Sequence, residues 1–561
     1  MKKHLLICGV LVLLSAGLIR NAQGCTNFII TKGASVDGSV MITYSADSHQ
    51  LYGELYFWPA ANYPEGAMVN VIEWDTQKPL GKIPQVKHTY SVVGNMNEHQ
   101  VAIGETTFGG REELGEQPGA IVDYGSLIYF ALQRARTARE AINIMGDLVS
   151  KYGYASSGES FSISDANEAW ILELIGKGKT EKGAVWVAMR IPYGYVSGHA
   201  NHPRITQFPM NDPENCLYAP DVISFARKMG YFNGDDKEFS FSDTYAPLDF
   251  MGARACEARV WAMFNRINAN MGQYEEYAMG HIVKGKFGYP TNRMPLWIKP
   301  DKKLSVHDVM ELMRDHYEGT KMDMNNDIGA GPYQSPYRWR PMTWEVDSIG
   351  YVHERATSTQ QTGFVFVAQS RSWLPDPVGG IFWFGLDDTF TTVFSPMYCG
   401  MTSVPHSFAV GNGDMLTFSP TSGFWTFNLV SNWAYTRYNC MIKDIQPVQR
   451  GLETKYIAEV PEVDKKASEL FKKDKKAALK MITDYSVNAG DATVKRWQEL
   501  FQYLVVKYMD GNIKKEKDGK FETNGYGIPV MPSQPGYPEW WLREIVKQHG
   551  EVIKQIGPSS H

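Results

Sequence analysis

The chain opens with an apolar run over residues 5–19, behind Lys2 and Lys3 and ahead of small residues at Ala22 and Gly24. That order reads as a secretory leader over residues 1–24, with cleavage expected after Gly24 and export to the periplasm or beyond it. The run is short for a bilayer span and is interrupted by Ser15, Ala16 and Gly17, so no membrane anchor is expected. Past the leader the period changes. Residues 25–31 and 40–43 read as strands around a turn with Asp37-Gly38 at its tip. Further strand pairs are predicted at 91–96 with 101–106, and at 160–164 with 169–174, the latter joined by Asp165-Ala166-Asn167-Glu168. Strands return over 363–394, in the runs 364–367 and 381–384. Helical spacing appears at 124–133, 221–229 and 305–317. It appears also after Thr137-Ala138-Arg139-Glu140, a capping box that opens a helix with Ile142, Met145 and Leu148 on one face. From 463 to 508 the pattern is helical and rich in Lys, Leu and Ala.

Runs of strands and runs of helices, rather than strict alternation, predict an α+β fold of layered antiparallel sheets. The main domain is expected over 25–440 and a helical C-terminal region over 441–561. With 561 residues, 43% of them hydrophobic and 21% charged, the chain can bury a sizeable core. Lys465, Lys466, Lys472, Lys473, Lys475 and Lys476 are expected to form a solvated helix face. Removing the leader takes away Lys2, Lys3 and Arg20 and no acid, moving the net charge from −5 to −8. Nothing basic enough to hold nucleic acid remains.

Of six cysteines, Cys8 lies in the leader, leaving Cys25, Cys216, Cys256, Cys399 and Cys440. An odd number in an exported protein leaves at least one thiol without an intramolecular partner, and the spacings show no zinc pattern. Cys25 is the candidate. Cleaved after Gly24, it carries a thiol with a pKa of roughly 8.5 beside an α-amine of roughly 7.7–8.0, so the amine can accept the thiol proton near neutrality. This is the chemistry of an N-terminal-nucleophile hydrolase. Two alternatives stay open: a lipid-bearing cysteine, which Ala22 and Gln23 match poorly, and an ordinary core or disulfide cysteine.

Several motifs together carry a family resemblance. They are Cys25-Thr26, the segment Gly33-Ala34-Ser35-Val36-Asp37-Gly38-Ser39, Asn97-Glu98 before a Val-Ala strand, Asp165 through Trp170, and Arg371-Ser372-Trp373-Leu374-Pro375 followed by Gly379-Gly380. Over most of 25–440 the chain resembles the bacterial dipeptidase A family of cysteine N-terminal-nucleophile peptidases, related to penicillin V acylases and bile salt hydrolases. The resemblance implies a four-layer αββα sandwich of antiparallel sheets with the nucleophile at a strand start. Asp47 matches the family's carboxylate and would orient the α-amine, with a plain turn residue as the alternative. Tyr44 departs from the family, which more often has arginine there. Asn201, in Ala200-Asn201-His202-Pro203, matches an oxyanion donor of the acylase relatives. Arg259, in Glu257-Ala258-Arg259-Val260-Trp261, matches an arginine near the nucleophile, where it would favour thiolate; a surface salt bridge is the alternative. Asn97 is the fifth candidate, with a turn-fixing role as its alternative.

Other signals fail. The stretch from Asp323 to Asp327 lacks the glycine and glutamate of a calcium loop, having Ile328 and Gln334 in their places. His199 and His202 have no third ligand in range, and there is no nucleophile elbow, phosphate loop or dinucleotide fingerprint. The expectation is an exported cysteine peptidase that hydrolyses dipeptides or short peptides through a thioester on Cys25. Asn201 and a backbone amide near Glu105 and Thr106 would hold the oxyanion, without cofactor or metal. Its partners are short peptides and the signal peptidase, with no membrane contact after processing and a homo-oligomer possible. An acid at Glu105, Glu112 or Glu113 is expected to meet the substrate's ammonium. The alternatives are an acylase-like amidase and a catalytically silent binding protein of the same fold.

Overall fold

The computed structural model describes residues 24–557. All of the expected leader but Gly24 lies outside the described residues. Among those described, seven strands form one antiparallel sheet, in the order Trp297–Ile298, Val196–His199, Asn27–Ile30, Val40–Asp47, Thr362–Ser370, Gly380–Leu386 and Ser395–Tyr398. Eight form a second large sheet: Cys216–Tyr218, Ala184–Arg190, Ala169–Gly176, Gly158–Ser164, Ala102–Phe108, Met96–Asn97, Val92–Val93 and Phe57–Trp58, and four two-stranded sheets complete the set.

The Val40–Asp47 strand is buried along its whole length and extends past the expected 40–43. Its second half is Tyr44-Ser45-Ala46-Asp47, polar in part, and such residues do not advertise a buried strand. They are inside because the strand lies against Ala102–Phe108 and Gly158–Ser164 of the other sheet. Asn27 pairs with His199 and Ile29 with Ile42, while Thr26 bridges Ser45. That register brings Cys25 beside the Tyr44–Asp47 end of the neighbouring strand.

His199 helps tie the sheets together. Its Nδ1 lies 2.8 Å from the Thr106 hydroxyl and its Nε2 2.8 Å from that of Ser162. Burial, and secondarily the charge of Arg204, push its pKa to about 3, so the ring stays neutral.

Helices Tyr124–Leu132 and Ala138–Tyr152 cover the second sheet, where Leu127, Ile142, Met145 and Leu148 share a core with Phe161, Ile163 and Trp170. Asp123 caps the first through the Ser126 amide and Thr137 the second through the Glu140 amide. The expected box is only half made, since the Glu140 carboxylate accepts from the Arg136 amide instead. The 305–317 helix is shorter than its spacing suggested, spanning Val306–Leu312.

Helices Gly423–Tyr435, Tyr438–Phe471 and Lys475–Tyr508 pack against the far edge of the first sheet. The second of them runs across residue 440 and shares the main core, through Met441, Ile445, Tyr456 and Val460. Buried ion pairs of Arg314 with Glu453 (2.5 Å) and of Arg371 with Asp464 hold it there. The lysine run between these helices is exposed, while the last helix, Glu539–Ile553, has no buried residue.

Candidate active site

Cys25 stands just ahead of the first strand with 3% of its surface exposed. Its Sγ is 3.7 Å from the Tyr44 hydroxyl and 3.6 Å from Glu105 Oε1, and the Tyr44 hydroxyl also donates to that oxygen. Glycine at 104 lets the two sheets close here. A Cβ there would come within 2.7 Å of Asn27 Oδ1 and 3.1 Å of Tyr44 Cβ. Tyr44 is held edge-on by Phe364 and Phe366.

The surroundings of the thiol are anionic. Burial pushes its pKa well up, and the Glu105 and Asp47 carboxylates push in the same direction, against hydrogen bonding from the Asp47 backbone and Tyr44. Glu105 is itself raised, chiefly by burial, and the neighbouring Glu159 is raised by burial and by Glu105, the two carboxyls interacting directly. Where the resemblance would place an arginine, Tyr44 offers an uncharged hydroxyl that accepts from the Cys25 thiol and donates to the Glu105 carboxylate.

Arg259 lies beside Cys25, as the resemblance implied, with its guanidinium bonded to carbonyl and hydroxyl oxygens around it and not to the thiol. Nη1 donates to the Cys25 carbonyl (2.5 Å) and to Thr26 Oγ1 (2.9 Å), Nη2 to the Ala200 carbonyl (3.3 Å) and Asn201 Oδ1 (2.9 Å), and Nε to the Ala255 carbonyl (2.8 Å). None of these acceptors is a carboxylate, so the alternative of a surface salt bridge does not describe it either. It projects from the Ala258–Ile267 helix just after a π-helical turn, Gly252–Glu257, a distortion often found at functional positions. Asn201 has a positive φ of 57° and donates from Nδ2 to the Thr107 carbonyl at 2.6 Å. Arg259 and Asn201 therefore form one unit around the Cys25 carbonyl.

Asp47 is buried. Its backbone carbonyl accepts from the Gly24 amide at 2.8 Å, Oδ1 accepts from Thr362 at 2.7 Å and Oδ2 from Arg355 at 2.5 Å. Burial raises its pKa although Arg355 opposes the shift. Arg355 also donates to the Gly24 and Ala356 carbonyls. No motif singled Arg355 out in the sequence; it reaches Asp47 from a position 308 residues later.

Asn97 is elsewhere. Its amide donates to the Leu132 and Ala135 carbonyls and accepts from the His99 and Val101 amides, so its side chain is committed to a turn and a helix end. Asn95, two residues earlier, is the asparagine that lines the cavity next to Cys25. Of the three acids expected to meet an ammonium, Glu105 is at the thiol. Glu112 is exposed, and Glu113 accepts from the Tyr231 hydroxyl at 2.8 Å; neither lines a cavity with Cys25.

Two cavities meet this cluster. One, of about 360 Å³, is lined by Cys25 and Tyr44, by the acids Asp47, Glu54 and Asp75, and by Tyr56, Trp74, Tyr124 and Tyr129. Among the described residues no lysine, arginine or histidine lines it. The other, of about 350 Å³, is lined by Gly24, Asn201 and Asp249 and by Arg259, Arg340 and Arg355. All five cysteines among the described residues are unpaired.

The chain is 25% identical over 426 residues to a probable dipeptidase of Salmonella dublin, covering 72% of this chain and 86% of that protein. It is 26% identical over 384 residues to a probable dipeptidase of Latilactobacillus sakei, covering 65% and 71%. A probable dipeptidase B of Streptococcus pyogenes serotype M1 is 21% identical over 516 residues, covering 89% and 96%. The family model described as Peptidase family C69 matches residues 24–451, an interval that begins one residue before Cys25 and takes in Tyr44, Asp47, Glu105, Asn201, Arg259 and Arg355; the chain belongs to peptidase family C69.

Proposed function

We propose that the protein is an exported cysteine dipeptidase whose nucleophile is Cys25, freed by cleavage after Gly24. The observation that carries this is the position of the Cys25 thiol, at the wall of an acid- and aromatic-lined cavity and at the start of a central strand. The two packed sheets with helices outside them support reading the fold as the N-terminal-nucleophile sandwich.

In this reading the new α-amine lies near Asp47, whose carbonyl holds the preceding Gly24 amide. The amine takes the thiol proton and the thiolate attacks the scissile carbonyl. As the C–N bond breaks, the α-ammonium returns a proton to the leaving amine. Water then attacks the thioester, giving its proton to the α-amine and releasing the acid and the thiol. Asn201, its carbonyl oxygen held by Arg259, offers its amide to the developing oxyanion, a contribution of roughly 2.7–4 kcal/mol for such a donor. Asp75 and Glu105 provide negative charge for the substrate's ammonium, and the faces of Trp74 and Tyr124 suit a cation.

The aromatic walls also suit an apolar acyl group, so an acylase-like amidase is the second reading. One experiment separates them: matched free and N-acetylated dipeptides with the mature protein and its Cys25→Ala variant. The proposal expects the free peptide to be favoured at least tenfold in kcat/KM and all turnover to vanish in Cys25→Ala. Equal rates for both substrates favour the amidase, and unchanged turnover by Cys25→Ala removes the nucleophile assignment, as a silent binding protein would through no turnover at all.

A further inference from the structure

The Gly24 carbonyl marks a place where an acceptor oxygen is bound by a buried guanidinium right beside the nucleophile. Arg355 is 4% exposed and donates there, to the Asp47 carboxylate and to the Ala356 carbonyl. When Gly24 departs, that acceptor leaves with it. A buried donor left unmatched is destabilising, so the position calls for a replacement oxygen.

The rest of the cavity says what kind of oxygen. Arg340 shares it, and its side chain is held only by a neutral group, Gln361 Oε1 at 2.6 Å; among the described residues it makes no ion pair. Arg259 is committed to carbonyl and hydroxyl oxygens. Among the described residues Asp47 is the only carboxylate bonded to any of the three guanidinium groups, and Asp249, which also lines the cavity, is exposed. Positive charge is therefore in excess. Arg355 feels it: burial first, then Arg259 and Arg340, bring its pKa down to about 10 despite Asp47. The neighbouring cavity has the opposite character, with three acids and no base. A zwitterion laid across Cys25 would place its ammonium on one side and its carboxylate on the other.

We infer that the arginine-lined cavity binds the substrate's free α-carboxylate, through Arg340 and through the Arg355 donor that Gly24 occupies before cleavage. This rests on the Cys25 hydrolase reading and extends it. The enzyme would measure its substrate from both ends, which is what restricts it to dipeptides instead of releasing residues from longer chains. A guanidinium suits the task because its planar donors match a carboxylate.

The test uses the mature full chain and varies Arg340, since losing Arg355 would strand Asp47 as a buried unpaired charge. L-Alanyl-L-alanine and its C-terminal amide are compared in kcat/KM for wild type, Arg340→Gln and Arg340→Lys. Binding of L-alanine and L-alaninamide is measured by calorimetry on the same proteins, which reads the carboxylate without turnover. Wild type is expected to favour the free acid at least tenfold in both measurements. Arg340→Gln should shrink that ratio, chiefly through KM, and Arg340→Lys should restore part of it. Equal kcat/KM and equal binding for acid and amide in wild type, or a ratio untouched by Arg340→Gln, overturns the inference while leaving the hydrolase intact. Discrimination in binding without any hydrolysis would instead support the cavity and reject the hydrolase.

Discussion

The thiol of Cys25 and the carboxylate of Glu105 lie 3.6 Å apart in a buried site, with the Tyr44 hydroxyl bonded to the same carboxylate oxygen. An acid at this distance opposes thiolate formation; under the proposed mechanism the thiol would be activated as it reacts, by its own amine. Under the same proposal the ammonium of a bound substrate would add to this, by offsetting the anion that raises the thiol.

Alkylation of the mature protein tests that arrangement. Iodoacetamide should modify Cys25 slowly at pH 7 and faster as pH rises, since burial and Glu105 raise the thiol's pKa above its ordinary value. Glu105→Gln removes one cause of the shift, so its rate at pH 7.5 should exceed the wild-type rate several-fold. A slower rate in Glu105→Gln would mean that the carboxylate assists ionisation, as a base would.

Stability should depend on pH through groups away from the thiol. Glu173 is fully buried; burial pushes its pKa from 4.5 to about 8, against hydrogen bonds from the Arg204 and Ile205 amides. The folded chain keeps this proton above pH 4.5 where the unfolded chain loses it, so stability falls as pH rises through that window. Asp387, raised to about 7 by burial, acts in the same direction. His199 acts oppositely, but its contribution is complete above its ordinary value of 6.5. The unfolding free energy from urea titration should therefore decline from pH 6.5 to 8, by on the order of 1 kcal/mol for Glu173, and the midpoint with it. In Glu173→Gln the decline should be shallower, and a midpoint that rises over this range contradicts the assignment.

Asn97→Ala separates structure from chemistry. Four backbone groups lose their partner, which should destabilise the protein by roughly 1–3 kcal/mol in urea. Because the side chain does not reach the thiol's cavity, kcat/KM of the folded variant should stay within about twofold of wild type. A hundredfold loss of kcat with normal stability would return Asn97 to the active site.

Much of the site was legible because it is local. Cys25 lies just ahead of one strand and Tyr44 and Asp47 on its neighbour, within one turn-linked segment, and the hairpin at Asp165 announced itself by its turn residues. The antiparallel pairs were legible wherever apolar runs were bounded by turns, and misjudged where a buried strand was polar, as at Ser45 and Asp47. Arg355 was invisible because an arginine in a stretch without periodicity carries no sign of the carboxylate it will meet across the fold. Arg259 was found, but its acceptor was not, since motif matching identifies a residue and not which of its neighbour's atoms it holds. The helices after residue 440 read as an appendage because their exposed lysines dominate the pattern; Arg371 and Arg314, which bind them to the sheet, lie far back in the chain.

The central claim is that Cys25 reacts as an N-terminal residue. Dipeptide hydrolysis should be followed alongside the intact mass of the protein as Gly24 and all that precedes it are removed. The account predicts no turnover while Gly24 remains attached, because the Cys25 nitrogen is then a non-basic amide, and activity that rises in proportion to the species beginning at Cys25. Full turnover by protein whose mass shows Gly24 still in place would contradict it.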